Sequence, residues 1–247
     1  MSEHHSPGEE ASRFKFGSKL MREVSRGFVD TSLEKRAEWM IKSSKIQEYL
    51  TPKIVYKDKL AGQVEKGVKV ICLGAGKGHE IDEIDKLLPG SEIIGVDPHD
   101  FQTKPVQKRL ETLAHKASYL PENVSAENMA GIADKSADGI TLNFVLHHID
   151  KNKQNAVMTE INRVLKDDGK LFVAEDLVDS EEERKKVEQI DRVLNAELSG
   201  DNPHNYKNIQ EWQKFFDENG LEIVEAHEEK PDKVRHGFFV VQKKMEK

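Results

Sequence analysis

Short apolar runs alternate with helix-spaced apolar residues through the middle of the chain. Residues 68–73 form a run rich in β-branched side chains that stops at glycines, and Glu92–Val96 is a second run, which stops at Asp97. Both runs are typical of strands buried within a sheet. Between them the apolar spacing predicts a helix closed by Pro89 and Gly90, and its apolar face carries Ile81, Ile84, Leu87 and Leu88.

The same alternation continues toward the carboxyl end. Residues 138–145 and 170–174 predict two more strands, and the helix between them has Asp150 as its expected N-cap. Before these strands, the pattern predicts a helix over 99–117 and then a short strand and turn over 124–129.

Two capped helices are expected after this alternating region. Ser180 with Glu183, and Asn208 with Glu211, each have the spacing of a capping box. The second of these helices would turn Trp212, Phe215 and Phe216 toward the core. The chain then closes with two strand-like runs, residues 221–226 and 237–241.

Alternating buried strands and amphipathic helices predict an α/β fold with a Rossmann-like, doubly wound and mostly parallel sheet. We expect seven strands, the last two as an antiparallel pair. By composition and spacing, residues 1–12 would be a disordered tail and 13–60 a helical segment. The main domain would then cover 61–247, with a helical insertion near 180–200.

Composition and charge narrow the classes of function. Residues 13–59 hold 12 Lys/Arg against 6 Asp/Glu, a net of +6; the rest holds 26 against 39, a net of −13, and the two sum to −7. An acidic body disfavours broad contact with nucleic acid. A single cysteine, Cys72, excludes an internal disulfide. Without a membrane-length apolar run or a secretory-type N-terminus, we expect a cytoplasmic protein with no membrane contact.

A glycine-rich loop follows the first predicted strand. Gly74, Gly76 and Gly78 give the pattern G-x-G-x-G, which lets the backbone turn sharply and approach a ligand. His79 stands where a dinucleotide-binding fingerprint would have its third glycine. Asp97 comes 21 residues after Gly76, at the end of the second strand, where a carboxylate can accept the hydroxyls of a ribose.

Several motifs together resemble the class I S-adenosylmethionine-dependent methyltransferases, closest to the quinone and small-molecule subgroup. They occur in the family's order over residues 67–176, whereas residues 1–60 contribute little. The matching segments are residues 74–78 (GAGKG), 94–97 (IGVD), 125–129 (SAENM), 138–149 (DGITLNFVLHHI) and 163–171 (RVLKDDGKL).

The resemblance implies S-adenosylmethionine as the cofactor and a set of contacts to it. The residues implied are Gly74, Ala75 and Gly76 at the methionine part, Asp97 at the ribose, Pro98, Ser125 and Ala126 at the adenine, and Asn143 and Phe144 beside the methionyl group and the transfer site.

Two positions depart from the family pattern. Cys72 stands where many members carry an acidic residue that helps to hold the cofactor's ammonium group. Ser125 begins the adenine turn, where an aspartate is common. Each departure removes one polar contact to the cofactor, which could weaken cofactor binding by roughly 1–3 kcal/mol.

His147 and His148 are the candidate general bases, because they follow the fourth strand and histidine titrates near neutrality. The alternatives are a structural role for His148 and plain surface exposure for His147. No metal site is expected, since no third ligand lies at a helical or hairpin spacing.

The sequence therefore predicts methyl transfer to an O, N or C nucleophile of a small molecule. Two alternatives stay open. A non-catalytic partner module would follow if Cys72 and Ser125 mark a lost cofactor site. A methyltransferase acting on RNA or protein would use the basic residues 13–59.

Overall fold

The computed structural model describes residues 67–76, 78–98, 117–119, 124–194, 202–229 and 234–245. The chain divides into two units, and nearly all of these residues belong to the unit made of residues 51–191 and 199–247. The expectations for residues 1–60 lie outside the described residues, as does nearly all of the helix expected over 99–117.

Seven strands form one sheet within the described residues, in the order β3-β2-β1-β4-β5-β7-β6. The first five run parallel to one another, and β7 pairs antiparallel with both β5 and β6. The α/β class and the antiparallel C-terminal pair are confirmed. The strands are β1 (Lys69–Leu73), β2 (Glu92–Val96), β3 (Ala117–Tyr119), β4 (Ala137–Asn143), β5 (Leu165–Leu177), β6 (Leu221–Glu229) and β7 (Arg235–Lys243).

Four α-helices are described, and the expected caps define three of their starts. They are α1 (His79–Leu87), α2 (Lys151–Val164), α3 (Glu181–Leu194) and α4 (Ile209–Glu218), with a 3₁₀ turn at Leu146–His148. Asp150 caps α2 through Asn152 N, and Asn208 with Glu211 forms the full capping box of α4. Ser180 accepts from Glu183 N, but the Glu183 carboxylate reaches Asp179 N instead of completing the box.

Alternate residues of β1 face two different cores. Ile71 and Leu73 pack with α2 and α4, including the buried Trp212 and Phe216. Val70 and Cys72 pack against α1 on the other face of the sheet. Helices therefore cover both faces, as the near-continuous apolar strands require. No helix among the described residues has the length and apolar content that a bilayer crossing requires.

The structure corrects two local expectations. Residues 124–129 form a turn with a single bridge between Ser125 and Asn128, and the short edge strand is β3. β5 begins at Leu165, earlier than residue 170, and its register with β4 shifts between Ala137 and Gly139. The extra residues of β5, 165–169, follow directly on the end of α2 at Val164.

Candidate active site

The glycine loop turns directly from β1 into α1. Gly74 N donates to Val96 O at 2.8 Å, which ties the loop to the end of β2. Gly74, Gly76 and Gly78 all have positive φ, a region that disfavours side chains. A Cβ on Gly74 would lie 2.3 Å from Val145 Cγ2, whereas among the described residues a Cβ on Gly76 would meet one atom, at 4.0 Å. The packing requirement therefore falls on Gly74.

Asp97 lies at the mouth of this loop. It is buried at the end of β2, and its Oδ2 accepts from Gly76 N at 2.9 Å. The two strongest sequence signals, 21 residues apart, are thus in direct contact. Because both lie at the carboxyl end of neighbouring parallel strands, they occupy the edge where such sheets bind ligands.

A second carboxylate reaches the same edge from α1. Glu80 Oε1 accepts from Asn143 Nδ2 at 2.7 Å, and Asn143 ends β4. Burial raises the pKa of Glu80 to about 7, and the Thr141 hydroxyl and Asn143 amide only partly oppose that shift. Buried Asn143 Oδ1 has no hydrogen-bond partner among the described residues.

Glu80 lies beside the cysteine that departs from the family pattern. Burial raises the pKa of the Cys72 thiol, and the charge of Glu80 raises it further. Cys72 and Thr141 are direct partners across β1 and β4. A carboxylate therefore lies beside Cys72, and it comes from α1 instead of β1.

The turn expected to hold the adenine is well formed. Ser125 and Asn128 exchange backbone hydrogen bonds at 3.1 and 3.0 Å. Ala126 is buried in the same core as Leu73 and Val96. Pro98 follows Asp97 and is exposed. The adenine assignment stays a prediction.

Phe144 has an unusual backbone at the end of β4. Its φ is +56°, a left-handed value for a non-glycine residue. Its N–H donates to Ala174 O at 2.7 Å, and its ring packs edge-on against His236 at 5.1 Å. Such backbone geometry is concentrated at functional sites, where neighbouring structure holds it in place.

His147 is buried, so the surface exposure expected as its alternative is wrong. It is 1% exposed, and its Nδ1 lies 2.5 Å from Oε2 of Glu175, a fully buried residue of β5. The other oxygen of Glu175 accepts from Val145 N and Leu146 N. Burial disfavours the imidazolium, but the charges of Glu175 and Asp176 and the contacts with Glu175 and Asp191 together outweigh it. The pKa of His147 is therefore raised well above its ordinary value.

Asp191, on α3, joins both candidate histidines. Its Oδ2 lies 3.2 Å from His147 Nε2, 3.5 Å from His148 Nε2 and 2.7 Å from the Tyr206 hydroxyl. Burial opposes ionisation, but the two histidines outweigh it and hold the pKa of Asp191 well below its usual range. His204 Nδ1 is 3.4 Å from the same oxygen.

The sequence reasoning missed three acidic residues: Glu80, Glu175 and Asp191. Glu175 carried a readable signal, because a charged residue inside the apolar run of β5 needs a buried partner. Glu80 and Asp191 lie on charged helices, where nothing in the local pattern distinguishes them from surface residues.

The arrangement fits a ligand that carries a ribose and a cationic group. Asp97 offers an acceptor, and Glu80 with Asn143 Oδ1 offers further acceptor oxygens at the same edge of the sheet. The amides of Gly74, Ala75 and Gly78 already donate to backbone carbonyls. S-adenosylmethionine, the cofactor of the family, has both groups.

Comparison with known proteins points the same way. A family model described as a methyltransferase domain matches residues 44–226, about three quarters of the chain. Among curated proteins, none matches the sequence.

Solved structures share the fold. A protein from Pyrococcus horikoshii OT3 has a TM-score of 0.60 at 17% identity, covering 83% of this chain and 93% of that one. Burkholderia thailandensis 1,6-didemethyltoxoflavin-N1-methyltransferase, solved with 1,6-didemethyltoxoflavin and S-adenosylhomocysteine, has a TM-score of 0.57 at 13% identity, covering 98% and 92%. A SAM dependent methyltransferase from Aquifex aeolicus has a TM-score of 0.55 at 15% identity, covering 80% and 97%. With the family match and the motifs at the carboxyl edge of the sheet, this chain belongs to the class I S-adenosylmethionine-dependent methyltransferases.

Proposed function

We propose that this chain transfers the methyl group of S-adenosylmethionine to a small-molecule acceptor. The observation that carries the proposal is the grouping at the carboxyl ends of β1, β2 and β4. There Asp97 is bonded to the glycine loop and Glu80 is bonded to Asn143. The cofactor needs three features: a loop that a ligand can approach, a carboxylate that accepts from the ribose hydroxyls, and a carboxylate for the ammonium group.

The cofactor would lie across this edge. Asp97 would accept from the ribose hydroxyls, and Gly74, Ala75 and Gly76 would line the methionine part. Ser125 and Ala126, with Pro98, would meet the adenine.

Glu80 would take over the role that Cys72 cannot fill. Its carboxylate lies against Asn143, whose buried Oδ1 has no partner among the described residues and could accept from the same ammonium. Phe144 would border the transfer site from the next position. This replacement supports a working cofactor site over the non-catalytic alternative.

Two observations support a small-molecule acceptor. The toxoflavin-type relative of the same fold is a small-molecule methyltransferase by its name, and the present chain covers 92% of it. The chain also has a net charge of −7, which disfavours a broad phosphate interface.

Methyl transfer needs few protein groups. The acceptor's lone pair attacks the methyl carbon, the carbon–sulfur bond breaks, and S-adenosylhomocysteine leaves while the acceptor loses a proton. No covalent enzyme intermediate is required, so alignment and electrostatics carry the catalysis. His148, the more exposed histidine of the pair, would be the one within reach of an acceptor's proton.

A methyl-label transfer assay tests the function. Purified protein would be incubated with labelled S-adenosylmethionine and, separately, small phenols and amines, bulk RNA and unfolded protein. We expect label only in a small-molecule fraction. Asp97→Ala should reduce transfer about 10- to 100-fold at limiting cofactor, since one ribose-binding carboxylate is worth about 1–3 kcal/mol.

The control is Asp217→Ala, which removes an exposed carboxylate on α4 that pairs with Lys244. It should leave transfer unchanged. Label in RNA or protein would replace the small-molecule assignment, and unaffected transfer by Asp97→Ala would remove the ribose assignment.

A further inference from the structure

Three side chains near the end of β4 have the geometry of a metal site. Ligand atoms of His147, His148 and Asp191 all lie within 4.8 Å of one another. Atoms bound to one tetrahedral ion at ~2.1 Å are about 3.4 Å apart. The two separations from Asp191 Oδ2, 3.2 Å to His147 Nε2 and 3.5 Å to His148 Nε2, match that value.

His147 is already oriented as a metal ligand. Its Nδ1 donates to Glu175, so its Nε2 is the nitrogen that faces Asp191. Metal binding would release the Nε2 proton to solvent. A histidine bound to metal usually donates its other nitrogen to a carboxylate in this way. Although Nε2 is buried and 3.2 Å from Asp191, it makes no properly aligned hydrogen bond within the described part of the chain.

The surrounding structure holds these groups rigidly. Glu175 accepts from the backbone N–H groups of Val145 and Leu146, which fixes the 3₁₀ turn that carries both histidines. The Tyr206 hydroxyl donates to Asp191 at 2.7 Å. A preset ligand shell of this kind lowers the cost of ordering the site on binding.

We propose that His147, His148 and Asp191 bind one divalent transition-metal ion of the Zn²⁺ class. Two imidazoles and one carboxylate suit zinc and its neighbours better than magnesium or calcium, which prefer oxygen ligands. Three protein ligands leave a fourth position for water. If the chain is the methyltransferase proposed above, that position could hold an acceptor's oxygen, and His148 would then be a metal ligand instead of the base.

This proposal departs from the sequence-based expectation of no metal. Asp191 lies 43 residues after His148, so no local spacing reveals it. The competing account is a purely structural network in which Asp191 links α3 to Tyr206 and the two histidines. Only the metal account requires saturable binding at these residues.

Zinc titration of the untagged full chain, after chelator treatment and dialysis, tests the proposal. We expect one Zn²⁺ per chain by calorimetry and, with Co²⁺, the visible absorption of a tetrahedral site. His148→Gln and Asp191→Asn should each weaken binding at least about 100-fold. Circular dichroism of each variant confirms that it is folded before titration.

Two controls define where the metal binds. His227→Gln removes an exposed histidine of β6, paired with Glu229, and should bind zinc like the wild type. His4 and His5 form another histidine pair, so the double variant His4→Gln/His5→Gln should also keep the site. Absence of binding by the wild type, or equal binding by all variants, would overturn the proposal.

Titrating the wild type with S-adenosylhomocysteine in the same buffer, with and without zinc, separates the two proposals. Zinc binding without cofactor binding would retain the metal site and reject the methyltransferase function. Cofactor binding without zinc binding would do the reverse.

Discussion

Gly74 shows how a single residue shapes the site. Its positive φ and its contact with Val145 both exclude a side chain. Gly131 also has a positive φ, but a Cβ added there would meet no atom of the described residues within 4 Å. The two glycines therefore separate backbone strain from steric overlap. At Gly74 both costs arise in the loop that faces the ligand.

Gly74→Ala should destabilise the protein by about 2–5 kcal/mol, from about 1–2 of backbone strain and the rest from overlap with Val145. Urea unfolding measures this. The matched variant Gly131→Ala should cost only the strain, about 1–2 kcal/mol. Equal losses in the two variants would mean that Val145 moves aside at no cost.

Glu80 gives cofactor binding a pH dependence with a definite sign. Its pKa, raised by burial to about 7, leaves it largely protonated below neutrality. An ammonium group favours the ionised form, so the affinity for the cofactor should increase as pH rises through 7.

The stability of the free protein depends on pH with the opposite sign. The neutral carboxyl is favoured in the folded state, so its contribution is full below the ordinary glutamate pKa of 4.5 and is lost as pH rises through about 7.

Calorimetry with S-adenosylmethionine measures the binding effect. Between about pH 6 and about pH 8 the wild-type affinity should rise about tenfold, and Glu80→Gln should show a much flatter profile. The amide keeps the contact with Asn143 but cannot ionise. Identical profiles for the two proteins would show that Glu80 does not face the ammonium group.

At the scale of elements, the strands that build the site were predictable from the sequence. β1, β2 and β4 are apolar runs ending at glycine, aspartate or asparagine, and a buried parallel strand requires that composition. α2 and α4 followed from their caps, because a side-chain acceptor for the first N–H groups is a local requirement.

Elements that depend on distant neighbours were not predictable. β3 has three residues and exists through its pairing with β2. β5 extends to Leu177 because β7 lies alongside it, and no pattern within 170–177 reveals that partner. The roles of Asp191 and Glu80 were not predictable for the same reason. Each is one acidic residue on a charged helix, and only the assembled fold brings it to its partners.

At the scale of the whole molecule, one edge of the sheet gathers both candidate sites. Asn143 ends β4 at the cofactor site, and His147 follows four residues later, bonded to Glu175 on the neighbouring β5. A methyl donor bound at the ends of β1, β2 and β4 would therefore lie near the histidines, because the chain leads directly from Asn143 to His147. In this order of strands, the ends of β1, β2 and β4 would hold the cofactor, and the histidines lie on the side of β4 that faces β5.

The central claim is that this edge binds S-adenosylmethionine. Isothermal titration of the wild-type protein with S-adenosylmethionine and S-adenosylhomocysteine at neutral pH tests it most directly. The account predicts one site with micromolar affinity, about −8 kcal/mol. Absence of binding to either ligand by folded protein would contradict it, because Glu80 would then have failed to replace the carboxylate missing at Cys72.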